Sequence, residues 1–412
     1  MMGSKHDREV LRELAANVAQ IAALPEQQIK RERWMAHNAL EKGKPMIMCF
    51  PGDSWRELLP ESRLVLSESP LRDWERSLRQ TIYAHEHIDD DEVVEPVFDI
   101  GWVQTFSGWG LKERWICTEV PLGSGTWEPP IKELSDIEKL EFPKTLVDEE
   151  RTHELVALAH DLFGDLLEVR IRGMIFWSVG LANTAAMLRG LEPLMLDMCE
   201  HPEWVHELMS FLRDGTLHWI KSLEAEGVLS LNNEADHVCS GGVFHSRELP
   251  APGYLPGHVR LRDTWGFAES QEFVGISPRF FEEFALAYQL PLLEQFGLTA
   301  YGCCEPLHDR LEQIKRIPNL RRVSISPWAD PEISAEALGD RYIFSYKPHP
   351  GVLVAEQLDE LSIKRQLERV VKTAGDGVLE IIMKDTQTLR NEPWRIERWT
   401  EIAREVVGEM NA

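Results

Sequence analysis

The stretch GLTAYGCCEP, residues 297–306, places two adjacent cysteines, Cys303 and Cys304, directly before Glu305. A thiolate is both a nucleophile and a soft metal ligand, and a carboxyl group in an apolar pocket holds its proton long enough to act as a general acid. One thiolate with one carboxylate is half of a zinc site. The segment after residue 233 offers the other half in Glu234, His237, Cys239 or Glu269, and His237-Val238-Cys239 is a His-x-Cys pair that can chelate from an extended segment. Taken alone, that pair reads more simply as ordinary loop residues. Three readings of 303–305 stay open: metal ligands, metal-free active-site groups, or small side chains buried at a crowded strand end. Lys347, in SYKPHP, is suited to neutralising a substrate carboxylate or to pairing with Glu305 or Asp385; its plainer reading is a solvated turn lysine.

Composition narrows the setting for this chemistry. The chain has 412 residues, 43% of them hydrophobic, enough for one large α/β domain or two ordinary ones. A net charge of −25 leaves no basic groove for nucleic acid. No stretch reaches the ~18 uncharged apolar residues of a membrane span, and the amino end MMGSKHDREV has no apolar signal region. Six cysteines, two of them adjacent, do not make a disulfide framework, so a reducing cytoplasmic compartment is expected. Fourteen tryptophans suggest that some of them wall a pocket.

Elements must carry these residues to one place. Residues 7–42 read as helix broken near Pro25, an amino-terminal extension spanning 1–43, followed by a single domain over 44–412. Short apolar runs at 44–52, 95–103, 163–180 and 228–233 read as strands one to four. The helix after Pro202 turns Val205, Leu208, Met209 and Leu212 inward. Residues 234–276 form a long irregular connection expected to fold over the strand ends as a lid, with Trp265 in it. A helix capped by Ser277 follows, with Pro278 at its first position and a kink at Pro291. Four more strands then alternate with helices. Eight strands in this rhythm predict a (β/α)8 TIM barrel, with a doubly wound open sheet as the alternative. In such a barrel the active site lies at the carboxyl ends of the strands, which selects Trp102, Arg172, Phe176, Asn232, Trp265, Tyr301 and Trp328 as substrate-binding candidates and Glu305, Lys347 and Asp385 as catalytic ones. Strand alternation puts Tyr301, Cys303 and Glu305 on one face.

GLEPLMLDMCEHPEWVHELM (190–209), ISPRFFEEFALAYQLPLLEQFG (276–297) and LTAYGCCEPL (298–307) resemble the helix pair, Ser-Pro helix and strand-five end of the uroporphyrinogen decarboxylase superfamily, which includes corrinoid-dependent methyltransferases. The resemblance covers roughly residues 160–405. It implies a TIM barrel and a homodimer. The arginine-rich motif that holds tetrapyrrole carboxylates is replaced by CFPGDSWRELLP, with Arg56 alone. Of the three zinc ligands of the coenzyme M methylating relatives, one is kept at the matching positions Tyr301, Cys303 and Lys384-Asp385. A rearranged zinc site would use Cys303 or Cys304 with Glu234 or Glu305. The expected function is a methyltransferase-like enzyme. It demethylates a small methoxylated or methylamine-type substrate and passes the methyl group to a separate corrinoid protein, since the chain has no Asp-x-His-x-x-Gly stretch to hold cobalamin. A metal on the cysteines, or Glu305 as acid, would activate the leaving atom. The alternatives are a cofactor-free decarboxylase or lyase, with Lys347 and Arg172 holding carboxylates, and a non-catalytic binding barrel.

Overall fold

The computed structural model describes residues 4–118, 123, 125–173, 178–237 and 241–409. Two helices open the chain. Lys5–Ala22 starts at a capping box in which Ser4 and Asp7 each accept the other's backbone N–H, and Pro25–Asn38 starts at its proline. Among the described residues twelve strands follow: β1 (Met46–Cys49), β2 (Val97–Gly101), β3 (Val103–Phe106), β4 (Arg114–Cys117), β5 (Gly125–Glu128), β6 (Thr145–Asp148), β7 (Glu168–Arg172), β8 (Trp265–Ala268), β9 (Leu298–Tyr301), β10 (Leu320–Ile325), β11 (Ile343–Tyr346) and β12 (Val378–Met383). The fold is mixed α/β. Six strands form one parallel sheet in the order β1-β12-β11-β10-β9-β8, and β2 and β7 form a separate parallel pair. β3 with β6 and β4 with β5 make two small antiparallel ribbons.

Alternation gives each strand of the large sheet two different faces. Ile47, Val323, Ile325, Phe344, Tyr346, Leu379, Ile381 and Met383 point into the main hydrophobic core beneath the helices. The intervening residues, among them Arg322, Ser324, Ser345, Lys347 and Glu380, are buried on the opposite face. There Glu380 takes an ion pair from Arg322 at 3.1 Å and faces His37 at 3.2 Å, and the Ser345 hydroxyl donates to it. β9 and β12 stand three strand spacings apart, ~14 Å in a flat sheet, yet Lys384 Nζ at the end of β12 lies 3.3 Å from Cys303 Sγ just past β9. The contact spans the sheet through the reach of both side chains and a bend of these strand ends toward each other.

The two open edges of the sheet are satisfied by side chains. On β1, the carboxylates of Asp91 and Asp90 accept the N–H groups of Ile47 and Cys49 at 2.8 and 2.9 Å. On β8, Asn232 accepts the Trp265 N–H at 2.8 Å and donates to the Trp265 carbonyl at 3.0 Å. Among the described residues no ladder joins β2 and β7 to the six strands, so strand pairing does not establish the eight-stranded closure.

Several expectations change here. The fourth strand at 228–233 is an extended segment with a single bridge residue, Leu229, held through Ser230 and Asn232 side chains. The strand beside β9 is β8, which lies within the 234–276 segment expected to be irregular. The middle of that connection does not fold over the site as a lid, and only its end, Glu269–Gln271, reaches the strand ends there. Residues 241–249 lie at the amino-terminal ends of the strands: Asn38 donates to the carbonyls of Val243 and His245 at 2.8 Å each, and Arg321 at the start of β10 pairs with Glu248. Gly242 makes this passage possible, because a Cβ there would stand 2.1 Å from the Trp34 ring. Trp265 is a core residue, stacked on Phe244 at 4.5 Å between centroids. The helix cap at Ser277 stands as read, while the helix toward Pro291 carries a π-turn over Glu282–Leu286.

Candidate active site

Three strand ends build the site. β9 ends at Tyr301, and Gly302 follows with φ of +92°, a conformation open to glycine and costly for other residues. This resets the alternation. Tyr301 points to the helices, its hydroxyl bonded to Gln289 at 2.8 Å and Ser270 at 3.0 Å. Cys303 points inward beside Ala300, Phe267 and Trp265. Tyr301 and Cys303 therefore do not share a face.

Cys303 Sγ is buried, with Lys384 Nζ at 3.3 Å and Cys304 Sγ at 3.6 Å. The hydrogen bond from Cys304, with help from Lys384 and Lys347 and against the cost of burial, brings the Cys303 pKa down to about 6. Cys304, which is exposed, is shifted the opposite way by the same bond and keeps its proton. Burial works against the Lys384 charge, but Cys303 and Asp385 outweigh it and raise its pKa. Asp385 sits 3.3 Å from Lys384 and 3.8 Å from Cys304 Sγ.

Behind the thiolate lie two buried carboxyl groups. Glu305 accepts the backbone N–H groups of Cys303 and Ser270, both at 2.9 Å, and so ties the turn after β9 to the turn after β8. Burial raises its pKa against those two donors. Glu269, the first residue past β8, accepts from Gln271 N–H at 3.1 Å and lies 3.3 Å from the Ser178 hydroxyl. Burial, with Glu272 and Glu305 nearby, pushes its pKa up to about 8. Glu269 is thus a protonated acid at neutral pH. In the sequence Glu269 is a candidate metal ligand only, because the feature that makes it an acid is burial among other acids.

The remaining predicted residues fall elsewhere. Lys347 is buried and donates to the Ser345 carbonyl and hydroxyl at 2.9 and 2.7 Å. Arg172 is ion-paired with Asp236, Glu234 with Arg170 at 2.8 Å, and His237 with Glu92 at 3.0 Å. Arg170, Asp236, His237 and Glu92 border a cavity of about 570 Å³ between the end of β1 and the start of β2, walled by Phe50, Trp55 and Trp74. Asn232 serves the β8 edge. Trp102 is partly buried near His153, and Trp328 is exposed with its ring 5.1 Å from His349. Phe176 and Cys239 lie outside the described residues.

Among the described residues no three His, Cys, Asp or Glu side chains stand together as metal ligands. The Lys384 ammonium, 3.3 and 3.9 Å from the two sulfurs, sits where a divalent cation would have to approach them. The described donors do not fit a zinc ion.

No helix among the described residues is long and apolar enough to cross a membrane. No family model matches the chain, and no curated protein does. Among solved structures, a methyltransferase from Methanosarcina mazei is similar with a TM-score of 0.49 at 10% sequence identity, over 93% of this chain and 99% of that chain.

Proposed function

We propose that the chain is a methyltransferase-type enzyme for a small methoxylated or methylamine-type substrate, with Cys303 as methyl acceptor and Glu269 as acid. The observation that carries the reading is the Cys303–Lys384 contact at 3.3 Å, backed by the buried acids of the β8 and β9 turns. The Cys303 thiolate attacks the methyl carbon. An S–CH3 bond forms as the bond from methyl to oxygen or nitrogen breaks, and the Glu269 proton goes to the departing heteroatom. Lys384 holds the thiolate before attack and turns to Asp385 once the sulfur is neutral. A reduced corrinoid on a partner protein would supply the nucleophile that removes the methyl group. In this reading the strand ends belong to a uroporphyrinogen decarboxylase-like barrel that closes through β2, β7 and the 229–233 segment. The decarboxylase alternative is disfavoured because Arg172 and Lys347, its carboxylate-holding cations, are already hydrogen-bonded within the protein.

The test is a panel of methoxyaromatic and N-methyl compounds incubated with the protein without any corrinoid, followed by peptide mass analysis. A single methyl group on Cys303 with release of the demethylated compound is expected. Demethylation with Cys303→Ser at the wild-type rate would refute the thiolate role.

A further inference from the structure

Cys303 and Cys304 are chain neighbours whose sulfurs lie on the same side, 3.6 Å apart. Their peptide is not among the cis bonds of the structure, so their Cα atoms are ~3.8 Å apart. That is short of the ~4.4–6.8 Å across which a disulfide forms without strain. A direct S–S bond is therefore disfavoured. A bridging atom closes a larger ring and leaves the sulfurs near their present separation.

We propose that Cys303 and Cys304 form a chelating dithiol site for trivalent, soft thiophiles, of the organoarsenic(III) class. Of the two objections to zinc, the missing third ligand does not apply here, and Lys384 repels a neutral arsenic centre far less than a divalent cation and has Asp385 at 3.3 Å to turn to. A divalent ion needs further protein ligands, whereas an arsenic bearing one organic group is complete with two sulfurs. Exposed Cys304 gives the entry, and Lys384, at 3.3 and 3.9 Å from the two sulfurs, favours the thiolate that attacks first. For an organoarsenic oxide, two As–S bonds form and both bonds from arsenic to oxygen break. The oxygen leaves as water with the two thiol protons, and no atom changes oxidation state. Lys384 then keeps Asp385 as its partner, 3.3 Å away. Cys117 and Cys199 are exposed and free, but neither has a second cysteine beside it in sequence. The inference uses the same thiols as the proposed function but not methyl transfer, so each can fail without the other.

The experiment is titration of the reduced protein with phenylarsine oxide, read by intact mass and by peptide fragmentation. One adduct per chain, mapped to Cys303–Cys304, is expected. It should be removed by 2,3-dimercaptopropanol and resist a monothiol at equal thiol concentration. Cys303→Ser and Cys304→Ser should each weaken binding ~100-fold or more, the size of a lost chelate. A chain keeping only these two of the six cysteines should bind as wild type does; if it does not fold, the mapped wild-type adduct decides. Undiminished binding in either serine variant, an adduct mapped elsewhere, or none on reduced protein with a native melting profile would overturn the proposal.

Discussion

Cys303 and Glu269 are shifted past each other across neutrality, the thiol down to about 6 and the carboxyl up to about 8. Methyl transfer needs the first deprotonated and the second protonated. The rate should therefore rise through pH 6, peak near 7 and fall through 8 in a bell-shaped profile. Glu269→Gln should cost ~10²–10⁴-fold in rate and abolish the alkaline limb; a profile with an unchanged alkaline limb would assign the acid elsewhere. The same shift has a consequence for stability. The folded-state pKa of Glu269 is raised above its unfolded value, so its stabilising contribution is full below ~4.3 and is lost as pH climbs through about 8. The loss is ~1.4 kcal/mol per unit across that window, a few kcal/mol in all. Denaturant melts should show Glu269→Gln gaining on wild type between pH 5 and 8 and level above it. Glu272, Glu305 and Cys303 share that environment, so the slope will not vanish entirely. The sequence offers Glu269 only as one of several candidate metal ligands, since its burial among other acids cannot be read from residue order. Cys303 and Glu305 were legible because three reactive side chains stood together at a strand end.

At the scale of elements, the position of Cys303 depends on the break after β9. With φ of +92° and Leu307 Cδ1 only 2.4 Å from where a Cβ would stand, Gly302 has no room for a side chain. Gly302→Ala should destabilise the protein by ~1–3 kcal/mol and slow Cys303 alkylation. A melt and an alkylation rate both unchanged would show that alternation does not turn at Gly302. That break was invisible to the period-2 reading, which carried Tyr301 and Cys303 onto one face. The strand β8 was missed for a related reason: Trp265-Gly266-Phe267-Ala268 is four residues long, wholly buried and without polar alternation. VLSLNN at 228–233 reads as the strand beside β9, the place β8 takes, because it is apolar at the right spacing. Its backbone is instead stitched to β8 by one side chain. Asn232→Ala leaves the buried N–H and C=O of Trp265 without their partner and should cost ~2–4 kcal/mol by chemical denaturation. A cost well under ~1 kcal/mol would mean that another group holds that edge.

The molecule as a whole decides whether these residues meet. The alternation of strands and helices after residue 277 was readable because each strand is a short apolar run ended by Gly, Pro or a charged residue. What periodicity could not convey is which strand ends meet, since that depends on how they bend toward each other. The bend of the ends of β12 and β9 places Lys384 on Cys303, two residues separated by 81 positions in the chain. Homodimerisation remains a proposal; sedimentation should give a mass near two chains at micromolar concentration, and a mass near one chain would end it. The central claim, a thiolate held across the sheet by Lys384, is tested most directly by the pH dependence of iodoacetamide alkylation at Cys303, followed on its own peptide by fragmentation. In the wild type the rate should titrate near pH 6, and in Lys384→Met the midpoint should move upward by a unit or more. A wild-type midpoint at or above ~8.5, the value of an ordinary thiol, or one that Lys384→Met leaves in place, would contradict it.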